Sequence, residues 1–371
     1  MKNKSLKDNK TPGSSGSHLV IKGRRMPVLL SLLFVFSVLS FGFIVQKNNT
    51  SMFQNKADQS LQMIYPKHYS SFKPGEEWYD KNEKIINAHG GGMLYYNNTY
   101  YWFGETRGKS ASEGVSVYSS KDLYNWENKG LALKHETDSS SDITIGSIIE
   151  RPKVIYNEKT KQFVMWFHLE LKGKGYSAAR AGVAVSKSPV GPYKFIKSFR
   201  PNGNMSRDMT LYKDGNGNAY EIYSSRDNYD MRIVELTPDY LSPTTKDSLI
   251  ASDHREAPAI FKYNQKYYLI TSASTGWAPN EANLYVSKSL FGKWQDIGNP
   301  MVGKNANITF YAQSACIFPV AGKKNAFIYM ADKWDPRDLK DSRYIWLPVQ
   351  FKNGKTFIEW KDEWDLHVFD N

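Results

Sequence analysis

From about Tyr65 onward, short runs rich in Tyr, Val, Ile, Trp and Phe alternate with clusters of Gly, Asn, Asp and Pro, the pattern of β-strands separated by turns. Several runs pair into explicit hairpins. In Met93–Gly104 the Asn97-Asn98 pair separates two aromatic stretches, and in Met209–Ser224 the turn is Asp214-Gly215-Asn216-Gly217. Asn and Gly accept the positive φ that tight hairpin turns require. The hairpins recur, each opened by an aliphatic–aromatic pair: Leu94-Tyr95, Ile155-Tyr156, Leu211-Tyr212, Ile260-Phe261 and Ile317-Phe318, spaced 49 to 61 residues apart. A second piece follows some of them: 185–193 (VSKSPVGPY), 286–294 (VSKSLFGKW) and, more loosely, 117–126 (VYSSKDLYNW). A repeating unit of about four strands at this period is the signature of a propeller blade. Five units predict an all-β, five-bladed β-propeller over residues 64–371; an irregular β-sandwich with evenly spaced hairpins is the competing architecture.

The pattern before Tyr65 is different. Between Arg25 and Lys47 no residue is charged, and 26–45 is a run of mostly Leu, Val, Phe and Ile. At 1.5 Å per residue a helix of that length spans the roughly 30 Å hydrocarbon core of a bilayer. No small-x-small cleavage site follows, and the apolar run exceeds the length typical of a cleaved signal peptide. The reading is a basic cytoplasmic leader (1–25), a transmembrane signal anchor (26–46), a linker (47–63) and an extracytoplasmic domain (64–371). A cleaved, secreted form is the alternative.

Composition sharpens this. The net charge of +12 suggests nucleic acid until it is located: residues 1–50 hold eight basic side chains and one acid, leaving only +5 over the remaining 321 residues. Basic residues ahead of an apolar span fix its orientation. The near-balanced domain lacks the basic stripe of a nucleic-acid binder. The single cysteine, Cys316, excludes a disulfide framework within the chain. The seven histidines show no ligand spacing along the sequence, so neither metal nor cofactor is expected.

A polar cluster precedes the opening pair of every repeat: His89, Glu150-Arg151, Arg207-Asp208, Arg255-Glu256 and Gln313. In a propeller the innermost strands line the axis, so residues at one phase of each repeat converge there. Asp208 and Glu256 supply carboxyls from adjacent blades, and glycosidic bond cleavage needs one carboxyl to protonate the leaving oxygen while another group serves the opposite face. A neighbouring charge and restricted solvation raise the pKa of the donor. Arg151, Arg207 and Arg255 either hold these acids and bind sugar hydroxyls or form blade-to-blade ion pairs. Aromatic residues supply flat faces for sugar rings. Trp277, in the loop 275–280 (TGWAPN), is the one whose placement favours binding over packing.

On these residues the sequence resembles glycoside hydrolase family 43, and within it the exo-β-1,3-galactanase-like subgroup. The matching segments are AHGGG (88–92), YYWFGE (100–105), IERPKVIYN (149–157), SRDMTLY (206–212), IYSSRDN (222–228), REAPAIF (255–261), TGWAPN (275–280), AQSA (312–315) and DSRYIWLP (341–348). The resemblance implies a propeller glycosidase with Glu256 as catalytic acid and Asp208 as its pKa modulator and orienter. Where most of the family has an Asp in the first blade, this chain has Asn87-Ala88-His89. As in the galactanase-like subgroup, Gln313 is then expected to serve the attacking water, with Glu105 as the alternative base, and inversion as the outcome. His89, Glu150, Arg151, Asn228, Thr275 and Trp277 are expected to contact the sugar. The expected partner is a polysaccharide or glycan with terminal β-1,3-linked galactose. β-Xylosidase or α-L-arabinofuranosidase activity, or a non-catalytic sugar-binding propeller, are the alternatives.

Overall fold

The computed structural model describes residues 68–108 and 112–370. The expected leader (1–25), anchor (26–46) and linker (47–63), and residues 64–67 of the expected propeller, lie outside them; no helix among the described residues is long and apolar enough to cross a membrane.

The described residues form five antiparallel sheets, the five predicted blades in chain order. Blade 1 spans His89–Lys134, blade 2 Ile148–Phe199, blade 3 Met209–Ala251 and blade 4 Arg255–Gly298. Blade 5 is built from Gln313–Pro319, Phe327–Lys333, Arg343–Lys352 and Lys355–Glu359, with Met301–Val302 added in parallel at its outer edge. Every aliphatic–aromatic pair read from the sequence falls on an innermost strand. Each innermost strand neighbours that of the next blade, and the fifth neighbours the first, so the sheets close into a ring rather than stacking as a sandwich.

The local sequence explains the hairpins. Asn97 and Asn98 take φ of 48° and 55°, and Asn264 and Gln265 take 45° and 61°, the two consecutive left-handed residues of a type I′ turn. The middle strands are packed on both faces, which is why Phe163–Phe167 reads as a continuous apolar run and is buried throughout.

Closure of the ring depends on the chain ends. Phe72 bridges Trp364 through backbone hydrogen bonds of 2.7 and 3.1 Å, joining the segment before blade 1 to the segment after blade 5. Between these two blades lies an aromatic core of Phe72, Trp78, Trp102, Trp126, Trp346 and Trp364. The Trp102 and Trp346 ring centroids are 4.9 Å apart and both side chains are buried. Much of the chain's aromatic content is therefore blade packing. Cys316 is likewise buried in this core.

Candidate active site

The polar clusters sit at the starts of innermost strands, and an irregularity of the strand aims them inward. The register slips between His89 and Gly92, Glu150 and Lys153, Glu256 and Ala259, and Ser314 and Cys316. These are β-bulges, which turn successive side chains off the regular alternation and recur beside active sites. In three of them the residue after the polar one is left-handed: Gly90 (φ 55°), Arg151 (54°) and Ala257 (54°). Gly90 has a further constraint, because a Cβ there would lie 2.3 Å from Oε1 of Glu105.

Each phased residue also has a cross-strand partner at the end of the second strand. His89 faces Glu105, Glu150 faces His168, Glu256 faces Ser272 and Gln313 faces Asp332. In blade 3 the Ser224 amide donates to the Asp208 carbonyl at 2.9 Å. Directly opposed residues project to the same side of a sheet, so the end of the propeller carries two rings of polar side chains.

They enclose a pocket of about 230 Å³ lined by Glu105, Arg107, Glu150, Arg151, Tyr176, Asp208, Glu256, Gly276, Trp277, Gln313 and Trp334. Seven of the ten residues expected from sequence are among them. The other three are not: His89 is fully buried, with Nδ1 3.1 Å from Asp332 Oδ1 and its ring stacked on Tyr344. Asn228 donates to Glu256 Oε2 at 2.9 Å and to Ser274 Oγ at 3.0 Å. The Thr275 hydroxyl donates to the Ala278 carbonyl at 2.6 Å and so shapes the loop that carries Trp277. Trp277 itself is 49% exposed and meets Trp334 edge-on at 5.8 Å. Of the arginines, Arg151 enters the site, Arg207 pairs with Asp227 at 2.7 Å, and Arg255 bonds Thr271 and the Glu281 carbonyl.

Gln313 joins two blades to the carboxyls. Its Nε2 donates to Glu256 Oε1 at 2.7 Å and to Ser272 Oγ at 3.1 Å, while its Oε1 accepts from Trp334 Nε1 at 3.0 Å and from Arg151. Arg151 Nη2 is also 2.9 Å from Asp208 Oδ2. Glu256 Oε2 accepts from Ser274 Oγ at 3.0 Å; a hydroxyl can also accept, so this partner suits either protonation state.

Burial, reinforced by the negative charge of Asp208, pushes the Glu256 carboxyl up to about 7, with Arg151 opposing. A group so tuned still carries its proton near neutrality. Glu105 and Glu150 share Arg107, and the pair divides. Burial and the charge of Glu150 push Glu105 up to about 8 against the pull of Arg107. Glu150 is equally buried, yet hydrogen bonds from His168 and Arg107 hold it well below the usual carboxylate range. Burial disfavours the His168 imidazolium, but Glu150 and Glu170 outweigh it and carry its pKa to about 9.

Glu150, His168 and Asp208 bring one potential metal-ligand atom each within 4.8 Å of one another, a grouping invisible in the sequence spacing. All three are engaged by protein partners: Glu150 by Arg107 and Tyr176, His168 by Glu170, and Asp208 by Arg151. Sequence reasoning also missed Arg107, Tyr176 and Trp334. Arg107 lies two residues beyond Glu105 on the same strand, a period-two signal that was available. Tyr176 and Trp334 come from loops with no such signal.

A ring of blades that gathers carboxyls with raised pKa beside an ionised one in an axial pocket defines a glycosidase. The comparisons place it more closely: residues 88–354 match the model of glycosyl hydrolases family 43. The chain belongs to this family. It is similar to a solved family 43 β-1,3-galactosidase with bound galactodeoxynojirimycin, at 46% identity over 80% of this chain and 100% of that one, with a TM-score of 0.78. A second solved family 43 β-1,3-galactosidase is 44% identical over 82% of this chain and 65% of its own, with a TM-score of 0.79. The exo-β-1,3-galactanase of Phanerochaete chrysosporium, solved with β-1,3-galactotriose, is 37% identical over 80% and 69%, with a TM-score of 0.75. The chain thus spans about two thirds of the length of the latter two. Comparison with curated proteins gave no match.

Proposed function

We propose that this protein is an exo-acting β-1,3-galactosidase that removes terminal galactose from a galactan-type glycan with inversion. The observation that carries the reading is the tuned Glu256 carboxyl in a small axial pocket with Asp208, Arg151 and Gln313. The volume suits one sugar ring rather than a threaded chain, consistent with attack at a chain end. Similarity to galactosidases and a galactanase supplies the sugar and the linkage.

In this reading Glu256 donates its proton to the glycosidic oxygen, and Asp208 keeps that proton in place before reaction. Gln313 orients the attacking water through its amide, and the proton that this water sheds as its oxygen bonds the anomeric carbon passes to solvent. Glu105, held protonated near neutrality, is poorly populated as a base, which favours Gln313 for the water side. Trp277 and Tyr176 offer aromatic faces at the pocket. Incubation with β-1,3-galactan and β-1,3-galactobiose tests the activity, with NMR of the first-formed anomer. Release of α-galactose supports the reading. A folded protein that releases nothing, or releases xylose or arabinose from matched substrates instead, sinks it.

We also propose that residues 26–46 anchor the chain in a membrane with the propeller on the extracytoplasmic side. The uncharged apolar run and the basic residues before it support this. Fractionation of producing cells, with protease added to intact cells, checks it: recovery of the full-length chain in the soluble fraction overturns it.

A further inference from the structure

Behind the wall of the pocket lies a polar group that the proposed chemistry does not use. His168 and Glu170 end the second strand of blade 2, two residues apart and so on one face, and both side chains are buried. His168 Nε2 lies 2.9 Å from Glu170 Oε1, and its Nδ1 lies 3.3 Å from Glu150 Oε2. The ring thus bridges two carboxylates.

Each carboxylate holds one point of the loop 171–179. Glu150 Oε1 accepts the Tyr176 hydroxyl at 2.9 Å, and Glu170 Oε2 accepts the Ala179 amide at 2.9 Å. From outside, Arg207 donates to the Tyr176 carbonyl at 2.8 Å. Between Leu171, which packs against the blade core, and the buried Ala179, the loop has no apolar anchor: residues 172–177 are exposed, and Gly173 and Gly175 are left-handed. Segments with few buried apolar contacts open at low cost, so its polar ties decide where it sits. Tyr176, which lines the pocket, is placed by those ties.

We infer that His168 and Glu170 are positioning residues: acting through Glu150 and Ala179, they clamp the 171–179 loop so that Tyr176 forms one wall of the sugar pocket. Neither touches the reacting atoms. Their effect falls on how well the pocket holds a terminal sugar, and less on the bond-breaking step. The inference rests on the galactosidase reading for its kinetic consequence and on geometry alone for the clamp.

Two readouts on the full-length chain test it. The first is the split between KM and kcat on β-1,3-galactobiose. The second is the rate of tryptic cleavage after Lys172 and Lys174, mapped by mass spectrometry. H168Q and E170A are expected to raise KM about tenfold while kcat stays within about threefold, the pattern of lost uniform binding. Both should speed cleavage at the two lysines. E170Q, which keeps an acceptor for the Ala179 amide, should stay nearer to wild type in cleavage than E170A, and serves if the other variants do not fold. Unchanged KM with unchanged cleavage overturns the clamp, as does a loss confined to kcat. If wild type turns over no galactoside, the galactosidase reading fails by itself, and cleavage at Lys172 and Lys174 still judges the clamp.

Discussion

The amide nitrogen of Gln313, from blade 5, donates to Oε1 of Glu256, from blade 4, at 2.7 Å. The residue expected to serve the water and the residue expected to give the proton are therefore in direct contact. An entering sugar needs that contact to loosen for the amide to reach water. The donors on the other side of the amide, Trp334 and Arg151, keep its oxygen fixed meanwhile.

Replacing Glu256 by Gln removes the transferable proton while keeping the size of the side chain. The expected loss in kcat on β-1,3-galactobiose is about 10²–10⁴-fold, the usual worth of a general acid. Aryl galactosides with acidic leaving groups should lose far less, and calorimetric affinity for galactose should survive. Equal losses on both substrate types would contradict proton donation by this residue.

The rate should fall as pH rises through about 7, where Glu256 loses its proton. Asp208→Asn removes the negative charge that helps keep it there and leaves Arg151 without its counter-ion. Both changes favour ionised Glu256, so the alkaline limb of the kcat profile should move to lower pH. A limb that moves upward, or stays in place, argues against electrostatic coupling between the two carboxyls.

Gln313→Ala and Glu105→Gln separate the two candidates for the water side. If Gln313 orients the water, its removal should lower kcat on activated aryl galactosides by at least about tenfold, because protonation no longer limits those substrates. Glu105→Gln should be milder, since Glu105 is held protonated near neutrality. The reverse order would assign the base to Glu105.

Glu221 gives a prediction about stability rather than turnover. Fully buried in blade 3, it accepts the Ser206 hydroxyl at 2.8 Å, and burial pushes its pKa up to about 8. A carboxyl whose folded pKa exceeds its unfolded value binds more protons in the folded state. Its contribution is complete below an unfolded pKa of about 4.3 and is lost as pH rises through about 8, at no more than about 1.4 kcal/mol per pH unit. Glu221→Gln should therefore flatten the dependence of urea stability on pH across that interval and raise stability at pH 8 and above relative to wild type. An unchanged slope would show that Glu221 is ionised in the folded protein.

Closure of the ring gives the last prediction. Trp346→Ala should cost about 3–5 kcal/mol, the range for deleting a buried large aromatic, because it empties the core between the first and last blades. Urea denaturation measures it, and a loss below about 1 kcal/mol, within the range of surface substitutions, would show that this core does not carry the closure.

The sequence by itself determined the repeat, the five blades and the phase at which polar residues gather. Each of those is written locally: turn residues that accept positive φ, aromatic strands, and a polar cluster a few residues ahead of each aliphatic–aromatic pair. It also located seven of the twelve net positive charges in the first fifty residues, ahead of the propeller. Only the tertiary structure decided which polar residues face the pocket and which support it. His89 shares the phase of Glu150 and Glu256, yet it is buried against Asp332 and Tyr344. Asn228 and Thr275 likewise belong to the scaffold of the site. The second ring, from Glu105 and Arg107 to His168, Glu170 and Asp332, depends on cross-strand register, and the roles of Tyr176 and Trp334 depend on how loops fold over the axis. The division of protons among the acids was also beyond the sequence. Identical carboxyl groups at Glu105 and Glu150 part in opposite directions, because burial and the placement of a few charges within hydrogen-bond reach set a pKa, and neighbours brought together from different blades carry no fixed spacing along the chain.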